Sequence, residues 1–189
     1  MNQLNYMDRY SYLDSINHNT VNEKLLIEQN IGLIRDKYLK IESKSPDFAL
    51  STSSDDSELI SDLLDDNPVA VSLHMNNDIQ EINRLNRILA SSGIKHIAIV
   101  SNSRYRMELR HLTNVYFDDS LEIFKQFGLI TKNSHGETFA TNLNAVYLLN
   151  KDRSILYSKL YVSNEPINFI SIIDTYTAIT HNNNKEKLS

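Results

Sequence analysis

Two apolar runs separated by one helical stretch constrain the fold of this chain more than any other feature. VAVSL at 69–73 and HIAIV at 96–100 are nearly continuous in hydrophobic residues, which is typical of strands buried on both faces. Between them a polar elbow at 74–78 leads into residues 79–92, whose apolar residues recur at helical spacing up to a stop at Gly93. Because a helix joins the two buried strands, we expect them to be parallel, and the pattern predicts an α/β fold.

The flanking patterns add helices and an antiparallel hairpin to this unit. Before the central unit they predict a helix that begins at a capping box near Thr20, an extended segment at 45–50 and a short helix at 57–66. After it they predict a mixed helix at 104–112, a strand at 115–117 followed by a helix, strands at 145–149 and 155–162, and a last helix from Pro166. This order predicts a thioredoxin-like three-layer sandwich, in which a mixed central sheet is flanked by helices. We expect residues 1–43 to form an N-terminal helical extension, 44–180 the domain and 181–189 a polar tail.

Two side-chain patterns make the helix predictions specific. Asp119 and Glu122 have the spacing of a helix N-cap and its partner, and Gly128 would end that helix. The last helix carries an apolar stripe that consists of Ile167, Ile170, Ile173 and Tyr176. We therefore expect the side chains of this stripe to pack on the sheet.

Composition excludes several classes of function. The 189 residues include no cysteine, which removes disulfides, thiolate nucleophiles and cysteine-ligated metal or iron–sulfur sites. The four glycines are scattered, so the sequence has no glycine-rich phosphate-binding loop. The net charge is −5 and both signs are mixed along the chain, which argues against nucleic acid or an anionic membrane as a partner. No apolar run approaches the ~20 residues of a membrane span and the polar start does not resemble a signal peptide, so we expect a cytoplasmic protein.

Several segments resemble peroxiredoxins of the alkyl hydroperoxide reductase and thiol-specific antioxidant family. The resemblance rests on the order and spacing of SPDFAL at 45–50, NPVAVSL at 67–73, the stretch at 117–129 with its FGL ending, and AVYLLNKDRSILY at 145–157. It implies a thioredoxin fold over about residues 44–178, and the predicted N-terminal helix is similar to that of one bacterial peroxiredoxin-like subgroup. Thiol peroxidase chemistry in this family needs a thiolate at a helix N-terminus beside a cation.

The resemblance ends at the residues that would carry this chemistry. An ungapped comparison of the strand, elbow and helix places Ile79 at the peroxidatic cysteine and Ile82 at the second cysteine of a C-x-x-C subgroup. The family's proline and threonine correspond roughly to Ser72 and Asn76. The position of the family's activating arginine, before the hairpin, has only residues 142–144 nearby. Isoleucine supplies neither a nucleophile nor a charge. The resemblance therefore implies a peroxiredoxin-like protein that lacks thiol peroxidase activity.

Two functions of different classes are open to such a chain. The first is a binding or structural role without catalysis, exerted through a homodimer or a protein partner. The second is a thiol-independent enzyme, or a small-molecule binder, that uses a pocket at the elbow. Its candidate residues in the elbow are His74, Asn76, Asn77 and Asp78. The candidates after the second strand are Ser101, Asn102 and Arg104, where the arginine could bind an anion.

Each of these positions also has a structural interpretation. Ile79 and Ile82 lie on the apolar stripe of the helix and can simply be core residues. Asp78 and Glu81 can be an acid–base pair, or an N-cap and its partner at the third helical position. His74 can be a ligand or general base, or a hydrogen-bonded structural histidine. The six histidines show no metal-ligand spacing, so we expect neither a metal site nor a cofactor.

Overall fold

The computed structural model describes residues 39–51, 57–75, 79–102, 109, 112, 114–132, 138–140, 143–162 and 167–186. Within these residues the helices and strands are, in chain order, β1 (Ala49–Ser51), β2 (Ser57–Leu59), α1 (Ile60–Leu63), β3 (Val69–His74), α2 (Ile79–Ser91), β4 (His96–Val100), β5 (Val115–Phe117), α3 (Glu122–Gln126), β6 (Ile130–Lys132), β7 (Thr138–Ala140), β8 (Leu143–Leu149), β9 (Ile155–Val162) and α4 (Ile170–Glu186).

The larger sheet is mixed, with a parallel centre and antiparallel flanks. Its strand order is β2-β1-β5-β4-β3-β8-β9. β4 runs parallel to both β3 and β5, whereas β8 is antiparallel to both β3 and β9. β1 is antiparallel to β2 and β5, and β6 and β7 form a separate two-stranded sheet. The parallel pair and the hairpin predicted from the sequence are both confirmed.

Helices cover both faces of this sheet. All six side chains of β3 are buried, and successive strand residues point to opposite faces. On one face Leu73 lies in a hydrophobic cluster with Ile60 of α1 and Phe124 of α3. On the other face Leu85 of α2 shares a cluster with Ile172 of α4. The layers are therefore helix, sheet and helix, and the predicted thioredoxin-like α/β sandwich is confirmed.

The central strand–helix–strand unit matches its prediction closely. β3 extends one residue further than predicted, to His74, and α2 ends at Ser91. Gly93 has a φ of 71°, in the left-handed region that glycine adopts without strain. The Ile94 N–H donates to the Leu89 carbonyl at 2.9 Å, as in a Schellman cap. The predicted stop at Gly93 is therefore the residue that turns the chain from α2 into β4.

The short helix predicted at 57–66 is wrong in its first part. Ser57–Leu59 is strand β2, which pairs with β1 through Ala49 and Leu59, and only Ile60–Leu63 is helical. Glu58 lies three residues after Asp55, which is the spacing of a helix cap and its partner, but it instead accepts a hydrogen bond from the Tyr116 hydroxyl at 3.2 Å. Strand pairing across the sheet edge thus overrides the local capping pattern, which has no information about the neighbouring strand.

The cap of α3 comes from Asp118 and not from the predicted Asp119. The Asp118 carboxylate is buried and accepts backbone N–H groups of Glu122, Ile123 and Phe124 at 3.1, 2.8 and 3.2 Å. One carboxylate reaches all three N–H groups because Leu121, the residue before the helix, has a left-handed φ of 60°. The spacing pattern therefore places the cap one residue too late in the sequence.

The predicted stripe of the last helix is also wrong in part. Ile167 is buried but precedes α4, whose first residue, Ile170, is 62% exposed. Within α4 the core is contacted by Ile172, which is fully buried, and by the predicted Ile173 and Tyr176, which are partly buried. The helix begins later than predicted because the Asn168 side-chain oxygen accepts the Ile170 N–H at 3.1 Å. Of the four residues of the predicted stripe, only Ile170 therefore lies outside the core.

Other predictions concern parts of the chain that the structure does not describe. The N-terminal helix and most of the helix at 104–112 lie outside the described residues, and the domain boundaries stay a prediction. α4 continues to Glu186, within the predicted polar tail. In the described part of the chain no helix is long and apolar enough to span a membrane. The cytoplasmic location stays a prediction.

Candidate functional site

The elbow begins where β3 ends, at His74 and Met75. The Ser101 N–H donates to the His74 carbonyl at 3.1 Å, and the Ser101 hydroxyl donates to the Met75 carbonyl at 2.7 Å. From the other side, the side-chain oxygen of buried Asn144 accepts the Met75 N–H at 3.0 Å. Ser101 therefore fixes the backbone of the elbow, and the neighbouring strands β4 and β8 set where that backbone lies.

The remaining elbow candidates are only partly placed by the structure. Asn76, Asn77, Asp78 and Arg104 lie outside the described residues, so their role as site residues stays a prediction. Asn102 is half-buried and lies two residues after β4, near the carboxyl end of the parallel strands.

Core side chains occupy the two positions that correspond to the family's cysteines. Ile82 is fully buried and belongs to a hydrophobic cluster with Ala98, Val100 and Phe117. Ile79, the first residue of α2, packs against the same cluster and is partly buried. Both contacts support the core interpretation of these isoleucines.

Glu81 connects α2 to the segment that precedes α4. Glu81 is 9% exposed, and its carboxylate accepts the Ile167 N–H at 2.8 Å. The Arg84 guanidinium donates to both carboxylate oxygens, at 3.0 and 3.2 Å, and lies 5.0 Å from the centre of the Phe169 ring. These contacts give Glu81 a structural role that bridges two helices, while Asp78, its predicted partner, lies outside the described residues.

A chain of buried polar side chains runs beneath α2, away from the elbow. Ser72 and His74 alternate along β3 and therefore point to the same face of the sheet. His96 of β4 points the same way because it is opposite Ala70 in the parallel register. The Ser72 oxygen lies 2.8 Å from His74 Nε2 and 2.7 Å from His96 Nε2, so one hydroxyl joins the two imidazoles.

The chain continues from His96 into two asparagines. His96 Nδ1 contacts the side-chain oxygen of Asn86, which lies on α2. Asn114, just before β5, donates from Nδ2 to the same Asn86 oxygen at 2.7 Å and to the His96 carbonyl. The Asn114 side chain thus replaces the strand pairing that β5 is too short to make.

The protonation of this chain follows from its partners. Burial, and then the neighbouring His74, lower the pKa of His96 from 6.5 to about 3, so its imidazole is neutral. A neutral imidazole has one donor and one acceptor nitrogen, and Asn86 Oδ1 can only accept. His96 therefore donates from Nδ1 and accepts the Ser72 hydroxyl proton at Nε2, which leaves the Ser72 oxygen to accept from His74 Nε2–H.

The far end of the chain borders an open pocket of about 510 Å³. The pocket lies at the amino ends of β4 and β5, between α1 and α2, and therefore at the opposite end of the parallel strands from the elbow. Its lining residues are the apolar Leu63, Ala90, Ile94, Ile97 and Leu112 and the polar Asn86, Lys95, His96, Asn114 and Tyr116.

Besides His96, two ionisable residues line this pocket, and both have hydrogen-bond partners. Lys95 donates from Nζ to the Leu63 carbonyl at 2.8 Å and to the Asp65 carboxylate at 3.0 Å. The Tyr116 hydroxyl donates to Glu58, and burial together with this carboxylate raises the pKa of Tyr116 to about 12. The phenol therefore stays protonated, and the Asn86, His96 and Asn114 side chains that also line the pocket are neutral.

Sequence reasoning missed most of this polar chain. His74 is among the candidates that the sequence predicts, whereas Asn86, His96 and Asn114 are not. A signal was present: Ser72, His74 and His96 interrupt two apolar strands at positions that share one face if the strands are parallel. Among the described residues no group of three or more His, Asp or Glu side chains is placed to hold a metal ion.

Comparisons with known proteins identify the fold. No protein-family model and no curated protein sequence matches the chain. Among solved structures, peroxidoxin BcpB from Mycobacterium tuberculosis is similar with a TM-score of 0.58 and 17% identity, over 75% of this chain and 99% of that chain. Thiol peroxidase from Chromobacterium violaceum gives a TM-score of 0.59 and 14% identity, over 75% of this chain and 88% of that chain. A peroxiredoxin-like protein from Aquifex aeolicus gives a TM-score of 0.57 and 16% identity, over 75% of this chain and 88% of that chain.

These likenesses establish the architecture at low sequence identity. The similar structures are peroxiredoxins and thiol peroxidases, whose chemistry depends on cysteine, and this sequence has none. The chain therefore has the thioredoxin-like fold of peroxiredoxins and lacks the cysteines on which their peroxidase reaction depends.

Proposed function

We propose that this protein is a peroxiredoxin-fold domain without thiol peroxidase activity, which acts by binding, as a homodimer or with a protein partner. The observation that carries the proposal is the packing of Ile79 and Ile82 into the hydrophobic cluster under α2, in a chain with no cysteine. Ile82 is fully buried and cannot meet a peroxide, and the alkyl side chain of either isoleucine has no electron pair to attack one.

The outer edge of β9 is the surface that best supports self-association. β9 ends the strand order of the larger sheet, and it is the longest strand in the described part of the chain. At its first residue the outer side of β9 is already paired, because the Glu42 N–H donates to the Ile155 carbonyl and the Ile155 N–H donates to the Ser43 carbonyl. An edge strand offers N–H and C=O groups on which another strand can add. A second copy of β9, running antiparallel, would extend the sheet across a two-fold axis.

Peroxide consumption by the purified protein tests the first half of the proposal. With hydrogen peroxide and dithiothreitol, we expect the rate of peroxide loss to equal that of a control without protein. A rate above this control that scales with protein concentration would overturn the proposal, because it would require a cysteine-independent reductive site.

Light scattering at micromolar concentration tests the second half. We expect the mass of a dimer for the wild type, and a shift towards monomer for Ser158→Lys, which places like charges across the paired strands. Ser91→Lys, which adds the same charge at an exposed position of α2, is the matched control. A monomeric wild type that also retains no partner in a pulldown would count against the proposal.

A thiol-independent enzyme or small-molecule binder at the elbow is the alternative. Its central residue, His74, is fully buried and bonded to Ser72, whereas a general base must reach the proton that it removes. This burial favours the structural role of His74. We expect His74→Ala and Asn77→Ala to leave every measured activity and ligand affinity unchanged, and a loss in both variants would favour the alternative.

A further inference from the structure

We infer that the pocket at the amino ends of β4 and β5 is a binding site for a small neutral molecule that carries a hydrogen-bond acceptor beside a donor, as a lactam or carboxamide does. This site lies at the opposite end of the parallel strands from the elbow. It therefore goes beyond the proposed function and does not depend on it.

The recognition element is the pair of carboxamides from Asn86 and Asn114. Asn86 Oδ1 accepts hydrogen bonds from His96 Nδ1 and from Asn114 Nδ2, and the bond from Asn114 is 2.7 Å long. Asn114 uses its Nδ2 group for this bond and for the His96 carbonyl. The two groups left over are Asn86 Nδ2 and Asn114 Oδ1, which are 3.4 Å apart, beyond the usual N–H···O range.

Both residues line the pocket, so this long contact brings a donor and an acceptor together in residues of its wall. A ligand amide can accept from Asn86 Nδ2 and donate to Asn114 Oδ1, so two hydrogen bonds of ordinary length would replace one long one. The orientation of both carboxamides is already fixed by His96, which is only 4% exposed. A wall that is ordered before binding lowers the entropy that binding must lose.

The charge and shape of the pocket favour a neutral ligand of modest size. Lys95 is neutralised by Asp65, and the Tyr116 hydroxyl already donates to a carboxylate. The volume of about 510 Å³ falls within the range of small-molecule pockets. Ala90, Ile94 and Leu112 supply apolar walls against which the body of the ligand can pack.

The test uses 2-pyridone as the probe and N-methyl-2-pyridone as its matched control. Both are added to the full-length, ¹⁵N-labelled protein, and the side-chain amide signals of Asn86 and Asn114 are followed. We expect 2-pyridone to shift these signals with a Kd on the order of 1 mM, as for a good fragment of this size. N-methylation removes the donor beside the carbonyl, so we expect at least about fivefold weaker binding.

Three variants locate the binding. Asn86→Leu removes the donor, and Ala90→Leu fills the pocket from an exposed position of α2 that makes none of these hydrogen bonds, so each should weaken 2-pyridone at least about fivefold. Arg87→Leu adds the same residue at a neighbouring exposed position outside the pocket and should leave the Kd unchanged. If Asn86→Leu does not fold, the Ala90 and Arg87 variants and the probe pair still decide.

Three outcomes would overturn the inference. The first is equal binding of both probes, the second is no shift at about 20 mM 2-pyridone, and the third is equal affinity in Ala90→Leu and Arg87→Leu. None of these outcomes depends on whether the protein consumes peroxide or dimerises, so failure here is distinct from failure of the proposed function.

Discussion

Acid should destabilise this protein through His96 in a defined pH window. The pKa of His96 is lowered to about 3 in the folded state, whereas an unfolded chain restores the ordinary value of 6.5. Between these two values the unfolded state binds more protons than the folded state, so the free energy of unfolding rises with pH. The free energy of unfolding that depends on a neutral His96 is therefore fully present above pH 6.5 and is lost progressively as the pH falls towards 3.

The magnitude follows from the size of the shift. Each unit of pKa shift corresponds to about 1.4 kcal/mol, so the full window is worth at most about 5 kcal/mol. Between pH 7.5 and 4.5, where most proteins can still be studied, the linkage relation gives a loss of about 3 kcal/mol from this residue alone. That is a large share of the stability of a typical domain, which is about 5–15 kcal/mol.

Urea unfolding followed by circular dichroism at several pH values measures this contribution. The protonation of carboxylates also changes stability, so the quantity of interest is the difference in slope between the wild type and His96→Gln, which has no titrating group there. His181→Gln, at an exposed position of α4, is the matched control and should keep the wild-type slope. If the wild type and His96→Gln lose stability in parallel from pH 7.5 to 4.5, the buried neutral imidazole is not the cause.

The remaining predictions concern packing and helix ends. Ile82→Ala should lower the free energy of unfolding by about 2–5 kcal/mol because it leaves a cavity in the core, and a loss below about 1 kcal/mol in urea unfolding would contradict that packing. Gly93→Ala should cost about 1–2 kcal/mol through its φ of 71° alone, since an added Cβ meets no atom within 4 Å; an unchanged melting temperature would refute this. Asp118→Ala should lower the free energy of unfolding by about 1–2 kcal/mol, and by more than Asp119→Ala, as judged by chemical denaturation; the reverse order would return the cap to Asp119.

Much of the fold could be read from local patterns. The central strands and α2 were predictable because each pattern is complete within a single segment: an apolar run, a helical stripe or a glycine stop. Where a residue's environment depends on a distant segment, prediction failed. Glu58 has the spacing of a cap partner, but it lies in a strand because β1 pairs with it. Ile170 has the spacing of a core residue, but the start of α4 leaves it exposed.

The candidate site divides in the same way. His74 could be singled out from its position after an apolar strand, yet its burial and its bond to Ser72 depend on the cover that α2 provides. The meeting of Ser72, His96 and Asn114 depends on strand register, and these residues are far apart in the chain. No local period relates them.

Composition by itself excluded thiol chemistry, because a chain without cysteine has no thiolate whatever its fold. The sequence also determined the strand–helix–strand unit, since hydrophobic periodicity acts within one segment. Only the tertiary structure decided that two imidazoles share a buried hydroxyl and that two asparagines line a pocket. The physical reason is that hydrogen bonds and burial are set by which segments become neighbours, and register and helix packing fix those neighbours only in the folded chain.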